Sequence, residues 1–318
     1  MTGHCNPILL TRTCFYRLLV LVSLICVSHV ATAGDYKLKR HEIDAQGHTL
    51  VVWEKTARRA KKQILLLHGR TWSSLPDFDL QVQDEDLSFM DGLADRGFRV
   101  LALDARGYGG TARDTSGWLT PDRAAKDAAI VLAWMKADKA VDTHLFGWSY
   151  GSMVAQLVVQ RDPSLVSTVT FFGYPFNPAR HIVPADQPYP SKAPARPNTA
   201  ENAASDFIVA GAISQQAIDA YVAAALQADP IRVDFRNLHE WAELDASKIT
   251  TPSLLLQGQF DPLAPTAMQA SFFSQINQGN KWWVVLPGGD HAALLETPRI
   301  TMLDAIAGFI NNQHLLAQ

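Results

Sequence analysis

The sequence predicts an α/β protein with a mostly parallel, doubly wound sheet. Short apolar runs, such as 64–67 and 98–103, alternate with segments whose apolar residues recur at helical spacing. Polar or glycine-rich turns follow the apolar runs. Strands covered by helices on both faces have such unbroken apolar runs, and repeated strand–helix units favour parallel pairing.

The elements can be predicted in chain order. β-favouring stretches on either side of Ala45-Gln46-Gly47 predict an antiparallel hairpin at one edge of the sheet. The other predicted strands cover 64–67, 98–103, 143–146, 166–172, 252–257 and 282–286. The predicted helices cover 87–95, a segment starting at Pro121 behind the N-cap Thr120, the segment after Ser149, and about 203–228, 266–276 and 298–314. Between 175 and 248 the alternation stops, which predicts an insertion.

Composition limits the class of protein. The chain has 318 residues, of which 47% are hydrophobic and 19% charged, so it is long and apolar enough for a globular core. Its formal net charge is −3. Nucleic-acid binding requires a basic surface that this composition does not indicate, so we expect no nucleic-acid partner.

Residues 1–33 predict a secretory signal peptide. Arg12 and Arg17 precede an apolar run at 18–30, and Ala31-Thr32-Ala33 resembles a cleavage site. The run is shorter than the roughly 20 residues of a membrane span, so we expect an exported protein, periplasmic or secreted, without a stable span. The removed segment would contain all three cysteines, Cys5, Cys14 and Cys26. The mature chain would then form no disulfide and use no thiolate.

One stretch matches the G-x-S-x-G nucleophile elbow between a strand pattern and a helix pattern, namely Gly147-Trp148-Ser149-Tyr150-Gly151. The flanking glycines allow a sharp turn where a Cβ would clash, and the turn leaves the serine hydroxyl exposed above the sheet edge. Ser149 is therefore the predicted nucleophile.

A serine nucleophile needs a histidine to accept its proton and a carboxylate to orient that histidine. Parallel strands gather such groups at their carboxyl ends, and three predicted strand ends carry Ser149, Asp261 and His291. His68 is the main alternative to His291. Asp104 and Asp290 are alternatives to Asp261, but Asp290 adjoins His291 in sequence and should point elsewhere.

Five segments in this order resemble the α/β-hydrolase superfamily, and more narrowly its lid-bearing serine esterase and peptidase branch, which includes carboxylesterases and proline iminopeptidase-like hydrolases. They are 67–69, 104–109, 147–151, 258–262 and 289–291. The resemblance covers nearly all of 36–316. It implies an eight-stranded sheet with helices on both faces, formed by 34–174 and 249–318. It also implies a helical lid, at 175–248, inserted after the sixth strand.

The resemblance implies an oxyanion hole made by the backbone amides of Arg70 and Tyr150. An arginine at position 70 departs from the small or aromatic residue usual in these hydrolases, so Thr71 is an alternative donor. The Arg70 side chain could also attract a substrate carboxylate, or instead form an ordinary surface contact.

Aromatic residues near these motifs are candidates for an apolar substrate pocket. They are Trp72, Trp148 and Phe260, together with Tyr150. The alternative for each is packing in the core or in a loop.

The predicted function is hydrolysis of a small-molecule or oligomeric carboxylic ester through an acyl-serine intermediate, with no metal or cofactor. A serine at the elbow argues against haloalkane dehalogenases and epoxide hydrolases, whose nucleophile is aspartate. The main alternative is a proline iminopeptidase-like aminopeptidase, which would need lid carboxylates such as Glu201, Glu240 or Glu243. A lactonase or polymer esterase also remains open. A non-catalytic binding module is disfavoured because all three triad residues are present.

Overall fold

The computed structural model describes residues 1–3 and 36–316. The predicted signal peptide beyond residue 3, with its cysteines, lies outside the described residues. Ten strands are found in the described part of the chain: β1 Lys39–Asp44, β2 Thr49–Thr56, β3 Lys62–Leu67, β4 Phe98–Asp104, β5 Trp118–Leu119, β6 Asp142–Trp148, β7 Thr168–Phe172, β8 Asp234–Phe235, β9 Ser253–Gly258 and β10 Lys281–Leu286.

Eight of these strands form one sheet in the order β1-β2-β4-β3-β6-β7-β9-β10. The β1–β2 and β2–β4 pairs are antiparallel. The remaining pairs are parallel. The prediction of an eight-stranded, mostly parallel sheet with a hairpin at one edge is thus confirmed. The carboxyl ends of β6, β7, β9 and β10 meet at one side of the sheet, where the predicted catalytic residues follow them.

The α-helices of the described residues are α1 Ser74–Phe78, α2 Phe89–Asp95, α3 Pro121–Asp138, α4 Tyr150–Arg161, α5 Pro178–His181, α6 Ala200–Ala204, α7 Gln215–Ala228, α8 Thr266–Gln275 and α9 Arg299–Leu316. Helix α3 begins as predicted, because the Thr120 side chain accepts a hydrogen bond from the Arg123 amide and Pro121 occupies the first turn.

Two hydrophobic clusters cover the two faces of the sheet. One joins buried residues of α3, α4 and α8, such as Leu132, Leu157 and Phe272, to the strands. The other joins α2, α7 and α9, for example through Leu93 and Ile306. Helices on both faces are therefore confirmed, and this double covering explains the unbroken apolar runs of the central strands.

The predicted insertion at 175–248 contains α5, α6, α7 and β8, with short 3₁₀ segments at Leu238–Glu243 and Ala246–Lys248. The helical stretch predicted over about 203–228 is wrong for 205–214, which separates α6 from α7. Thr199 and Ser214 each cap a helix of their own. Between them, the amides of Ile208 and Val209 donate to Asp290 Oδ2 at 2.6 and 2.7 Å, which replaces helical bonding by a bond to the core.

The insertion contacts the rest of the domain through two features that the sequence pattern did not reveal. The two-residue strands β5 and β8 pair in parallel, with Leu119 opposite Phe235. Helix α7 buries Tyr221, whose hydroxyl donates to Asp77 Oδ1 of α1 at 2.9 Å. The limits of the insertion and its role as a lid stay predictions.

Candidate active site

Ser149 lies at the sharp turn between β6 and α4. Its backbone has φ 53° and ψ −117°, a conformation that residues with a Cβ rarely adopt. The Ser149 amide donates to the Phe172 carbonyl at the end of β7, at 2.9 Å, so the strained turn is held against the neighbouring strand. The elbow predicted from the motif is present in the backbone.

The two elbow glycines are required by space. A Cβ on Gly147 would lie 2.3 Å from the carbonyl oxygen of Gly151. A Cβ on Gly151 would lie 2.2 Å from the carbonyl oxygen of Leu67 in β3. Both contacts are with backbone atoms, which cannot move without disturbing the sheet. The two glycines of the motif are therefore needed for close backbone packing as well as for the turn.

We expect Gly151→Ala to destabilise the fold by about 3 kcal/mol or more, because the new methyl group overlaps the Leu67 carbonyl. Urea unfolding of both proteins measures the difference. Gly308→Ala is the matched control, since a Cβ there meets nothing within 4 Å and α9 should gain helix propensity. Equal unfolding midpoints for the two variants would contradict the steric argument.

Asp261 and His291 are brought together as predicted. His291 follows β10 and Asp261 follows β9, and Asp261 Oδ2 lies 2.8 Å from His291 Nδ1. The other oxygen, Oδ1, accepts from the amides of Leu263 and Ala264 at 2.8 and 3.1 Å. The carboxylate is buried and its orientation is fixed by these amides, so it can fix the orientation of the imidazole in turn.

The aspartate–histidine pair packs against the end of β7, next to the strand that carries Ser149. A Cβ on Gly173, which has φ +55°, would lie 3.0 Å from His291 Nδ1 and 3.2 Å from Asp261 Oδ2. The Trp148 indole donates to the His291 carbonyl at 2.8 Å, so the residue before the nucleophile fixes the histidine backbone. Among the described residues, no hydrogen bond joins the Ser149 hydroxyl to His291. Catalytic hydrogen bonds commonly tighten only once substrate is bound.

The alternatives to His291 and Asp261 make hydrogen bonds elsewhere. His68 is buried: its Nε2 accepts from the Ala105 amide at 3.1 Å and its Nδ1 lies 2.8 Å from the Gly69 carbonyl. Burial lowers the pKa of His68, so this side chain is a neutral loop contact. Asp104 accepts from the amides of Ser74 and Gly110 and from the indole of Trp53. Asp290 accepts from the amides of Ala292, Ile208 and Val209.

The two predicted oxyanion donors border the nucleophile. A Cβ on Gly69 would lie 3.4 Å from Ser149 Cβ, so the loop that carries Arg70 passes directly over the serine. Tyr150 is the first residue of α4, where the amide has no intrahelical acceptor. Within the described residues the Arg70 amide also has no hydrogen-bond acceptor. Both N–H groups are thus available, and their catalytic role stays a prediction.

A cavity of about 410 Å³ opens beside Ser149. Of the four predicted pocket residues, Tyr150 lines it and the other three do not. Trp72 and Trp148 are buried in the core, as their alternative interpretation held, and Phe260 is 54% exposed. Besides Tyr150, the apolar lining consists of Met153, Pro175, Phe235, Leu238, Trp241 and Leu263. Met153 lies one turn after Ser149 on α4 and was identifiable from helical spacing, whereas Phe235, Leu238 and Trp241 come from the insertion, where no motif marks them.

Behind the histidine loop, the buried Glu296 accepts from the Asp290 amide at 3.0 Å. Burial is the main reason that the pKa of Glu296 rises from 4.5 to about 8. Between these values the folded protein binds more protons than the unfolded chain, so the free energy of unfolding should fall as pH rises through this window.

We expect Glu296→Gln to flatten this pH dependence, because glutamine cannot ionise. Urea midpoints near pH 5 and near pH 8 should differ less for the variant than for the parent. Glu201→Gln, at an exposed position of α6, is the control and should retain the parent's dependence. The same fall with pH in parent and Glu296→Gln would contradict this role of Glu296.

The described residues contain neither a metal-binding cluster nor a membrane-spanning helix. No group of three or more His, Cys, Asp or Glu side chains in 1–3 and 36–316 is arranged to hold a metal ion. In the same part of the chain, no helix combines the length and the apolar character needed to cross a membrane.

Solved structures share this architecture. A serine hydrolase involved in carbazole degradation matches with a TM-score of 0.60 at 18% identity, over 86% of this chain and 99% of that chain. An esterase from Thermogutta terrifontis matches with a TM-score of 0.58 at 19% identity, over 86% of this chain and 98% of that one. An epoxide hydrolase from Vigna radiata gives 0.59 at 15% identity, over 86% and 98%. Identities this low show the fold alone, which hosts more than one chemistry.

Among curated protein sequences, none matches this chain significantly. A family model described as serine aminopeptidase, S33, matches residues 58–298, which includes every predicted catalytic residue. The family match and the shared architecture confirm the resemblance seen in the motifs. The chain therefore belongs to the serine aminopeptidase S33 family of the α/β-hydrolase superfamily.

Proposed function

We propose that this hydrolase cleaves a carboxylic ester through an acyl intermediate on Ser149. The observation that carries the proposal is the 2.8 Å contact of Asp261 Oδ2 with His291 Nδ1 beside a serine at a strained elbow. An epoxide hydrolase of the same fold would need an aspartate at that elbow, and Ser149 cannot supply a carboxylate nucleophile.

The proposed mechanism starts from the contact between Asp261 and His291. A carboxylate can only accept a hydrogen bond, so His291 Nδ1–H would donate to Asp261, and the lone pair on Nε2 of the neutral imidazole would take the proton of the Ser149 hydroxyl. The serine oxygen then attacks the ester carbonyl, and the amides of Arg70 and Tyr150 stabilise the oxyanion. Loss of one such donor typically costs about 2.7 to 4 kcal/mol of transition-state stabilisation.

Completion of the cycle uses the same histidine twice. His291 gives its proton to the leaving alcohol as the bond between the carbonyl carbon and the alcohol oxygen breaks. A water molecule then transfers a proton to His291 and attacks the carbonyl carbon of the acyl-serine. As the bond from that carbon to Ser149 Oγ breaks, His291 returns the proton to Oγ, which releases the acid and restores the Ser149 hydroxyl. No step requires a metal or a cofactor.

An aminopeptidase is the main competing function, and the family description includes that activity. Recognition of a free amino group would need a carboxylate at the cavity. The three lid glutamates named as candidates are engaged elsewhere or exposed: Glu243 pairs with Arg161, Glu240 accepts from the Asp122 amide, and Glu201 is exposed on α6. None of them lines the cavity beside Ser149, and this favours the ester over the peptide.

A substrate panel tests the proposal. 4-Nitrophenyl esters of short acids, a prolyl naphthylamide and simple lactones should be assayed side by side, each with Ser149→Ala as the blank. The expected result is turnover of the nitrophenyl esters that disappears in the blank. Turnover of the prolyl amide with no hydrolysis of any ester would replace the proposal by the aminopeptidase.

Two further expectations belong to the proposal. Residues 1–33 would direct export and be removed, and residues 175–248 would act as a lid over the cavity, which they line with Phe235, Leu238 and Trp241. Mass analysis of the exported protein tests the first expectation, since cleavage would leave Gly34 at the N-terminus.

A further inference from the structure

The cavity beside Ser149 carries an unusual excess of positive charge. Three arginines line it, Arg70 from the loop after β3, Arg180 from α5 and Arg232 from the segment before β8. The lining contains no aspartate or glutamate. Arginines at a protein surface commonly pair with carboxylates. The three arginines of this cavity have no acidic residue beside them in the lining.

These arginines have no ion-pair partner within 4 Å among the described residues. The nearby acids are occupied: Asp234 Oδ2 accepts from Arg113 at 3.2 Å, and Asp229 accepts from the backbone amides of Ser73 and Gly109, both at 2.8 Å. The guanidinium of Arg70 instead lies 4.7 Å from the centre of the Phe235 ring, another residue of the cavity lining. This cation–π contact holds a charge at the cavity wall while leaving its donors free.

A second cavity, of about 600 Å³, adjoins the first and shares Arg70, Arg232, Phe235 and Leu238 with it. Arg196 lines this second cavity, and its carbonyl accepts from the Arg232 amide at 2.8 Å. Burial, and then the neighbouring charge of Arg70, lower the pKa of Arg232. The cations therefore repel one another, and an anion bound between them would relieve the repulsion.

We propose that the substrate of Ser149 is an ester that also carries a carboxylate, bound by Arg70 and Arg232 and supported by Arg180. Guanidinium groups bind carboxylates through two parallel hydrogen bonds, which fixes the substrate's orientation as well as its charge. The carboxylate takes no part in bond making or breaking. It holds the ester carbonyl at Ser149 while the reaction proceeds. This inference rests on the proposed ester hydrolysis and adds the class of ester.

Matched pairs of esters test the inference. 4-Nitrophenyl hydrogen glutarate carries the charge on the acyl side, and its methyl ester is the neutral partner. 4-Carboxyphenyl acetate carries the charge on the alcohol side, with its methyl ester as the neutral partner. We expect kcat/KM to favour the charged member of at least one pair by about 10- to 100-fold, the range that one charged hydrogen-bonded contact supplies. Which pair responds tells on which side of the ester the carboxylate lies.

Arg232→Gln should remove most of that preference, mainly by raising KM for the charged ester. The preference of the parent should also shrink as salt is added, because the charges are partly exposed. Arg58→Gln is the matched control: Arg58 is exposed in the turn before β3 and lines none of the cavities described above, so the preference should be unchanged.

The outcomes separate the two proposals. Ser149-dependent hydrolysis with equal kcat/KM for charged and neutral esters would overturn the carboxylate inference and leave ester hydrolysis intact. If no ester is hydrolysed, ester hydrolysis fails, and fluorescence titration still decides the anion site, since Trp241 lines the cavity. Glutarate should then change the fluorescence of the parent but not of Arg232→Gln, and glutaramide should change neither. No response to glutarate in the parent would overturn the anion site as well.

Discussion

Replacement of Ser149 by alanine should lower kcat for ester hydrolysis by about a million-fold, the scale seen when a serine protease loses its nucleophile. The reason is that the acyl intermediate has no other oxygen to form on. Fold stability should fall little, because the Ser149 hydroxyl makes no hydrogen bond to another described residue.

The measurement is steady-state turnover of a 4-nitrophenyl ester, with unfolding midpoints recorded for the same preparations. Ser152→Ala is the control: its hydroxyl lies within the same helix and donates to the Ser149 carbonyl at 2.5 Å, outside the cavity lining. It should retain turnover. If Ser149→Ala keeps more than a few per cent of parental kcat with an unchanged fold, the nucleophile assignment is wrong.

Asp261→Asn should lower kcat by about 10,000-fold, as the corresponding change does in a serine protease. The hydrogen bonds of Asp261 explain why. Oδ1 accepts from the amides of Leu263 and Ala264, so asparagine would keep its oxygen there and turn its NH₂ group toward His291 Nδ1. That contact favours the histidine tautomer with the proton on Nε2, which cannot accept the serine proton.

This prediction is checked by turnover together with the thermal midpoint, which should change little because asparagine preserves both amide contacts. Asp186→Asn, at an exposed position of the insertion, serves as the control and should behave like the parent. A kcat within about tenfold of the parent for Asp261→Asn would show that Asp261 does not orient His291, since the wrong histidine tautomer should lower kcat far more than tenfold.

The core of the fold could be predicted from the sequence because burial on both faces of the sheet determines its apolar pattern. Strands such as β4 and β6 lie between two helical layers, so burial on both faces makes them continuous apolar runs. The two elbow glycines, Gly147 and Gly151, could also be predicted from the motif. A Cβ at either position would lie 2.2 to 2.3 Å from a backbone oxygen, so only glycine fits there. Ser149, Asp261 and His291 follow strand ends, whose order the alternation already predicts.

The helices of the insertion and the lining of the cavity could not be predicted in the same way. The helices depend on residues far along the chain. Asp290 accepts hydrogen bonds from the amides of Ile208 and Val209, and these bonds separate α6 from α7. The cavity lining depends on where the chain returns after α7, which brings Phe235 beside Arg70 through the pairing of β8 with β5. Trp72 and Trp148 were proposed for the pocket from their position near motifs. Position along the chain does not fix the direction of a side chain, and both point into the core.

Labelling with a fluorophosphonate, followed by mass analysis of the modified peptide, tests the assignment of Ser149, Asp261 and His291 most directly. We expect one adduct, on Ser149, formed rapidly in the parent and at least about 100-fold more slowly in His291→Ala, because the serine then lacks its base. An adduct on another residue, or labelling of Ser149 at the same rate without His291, would contradict it.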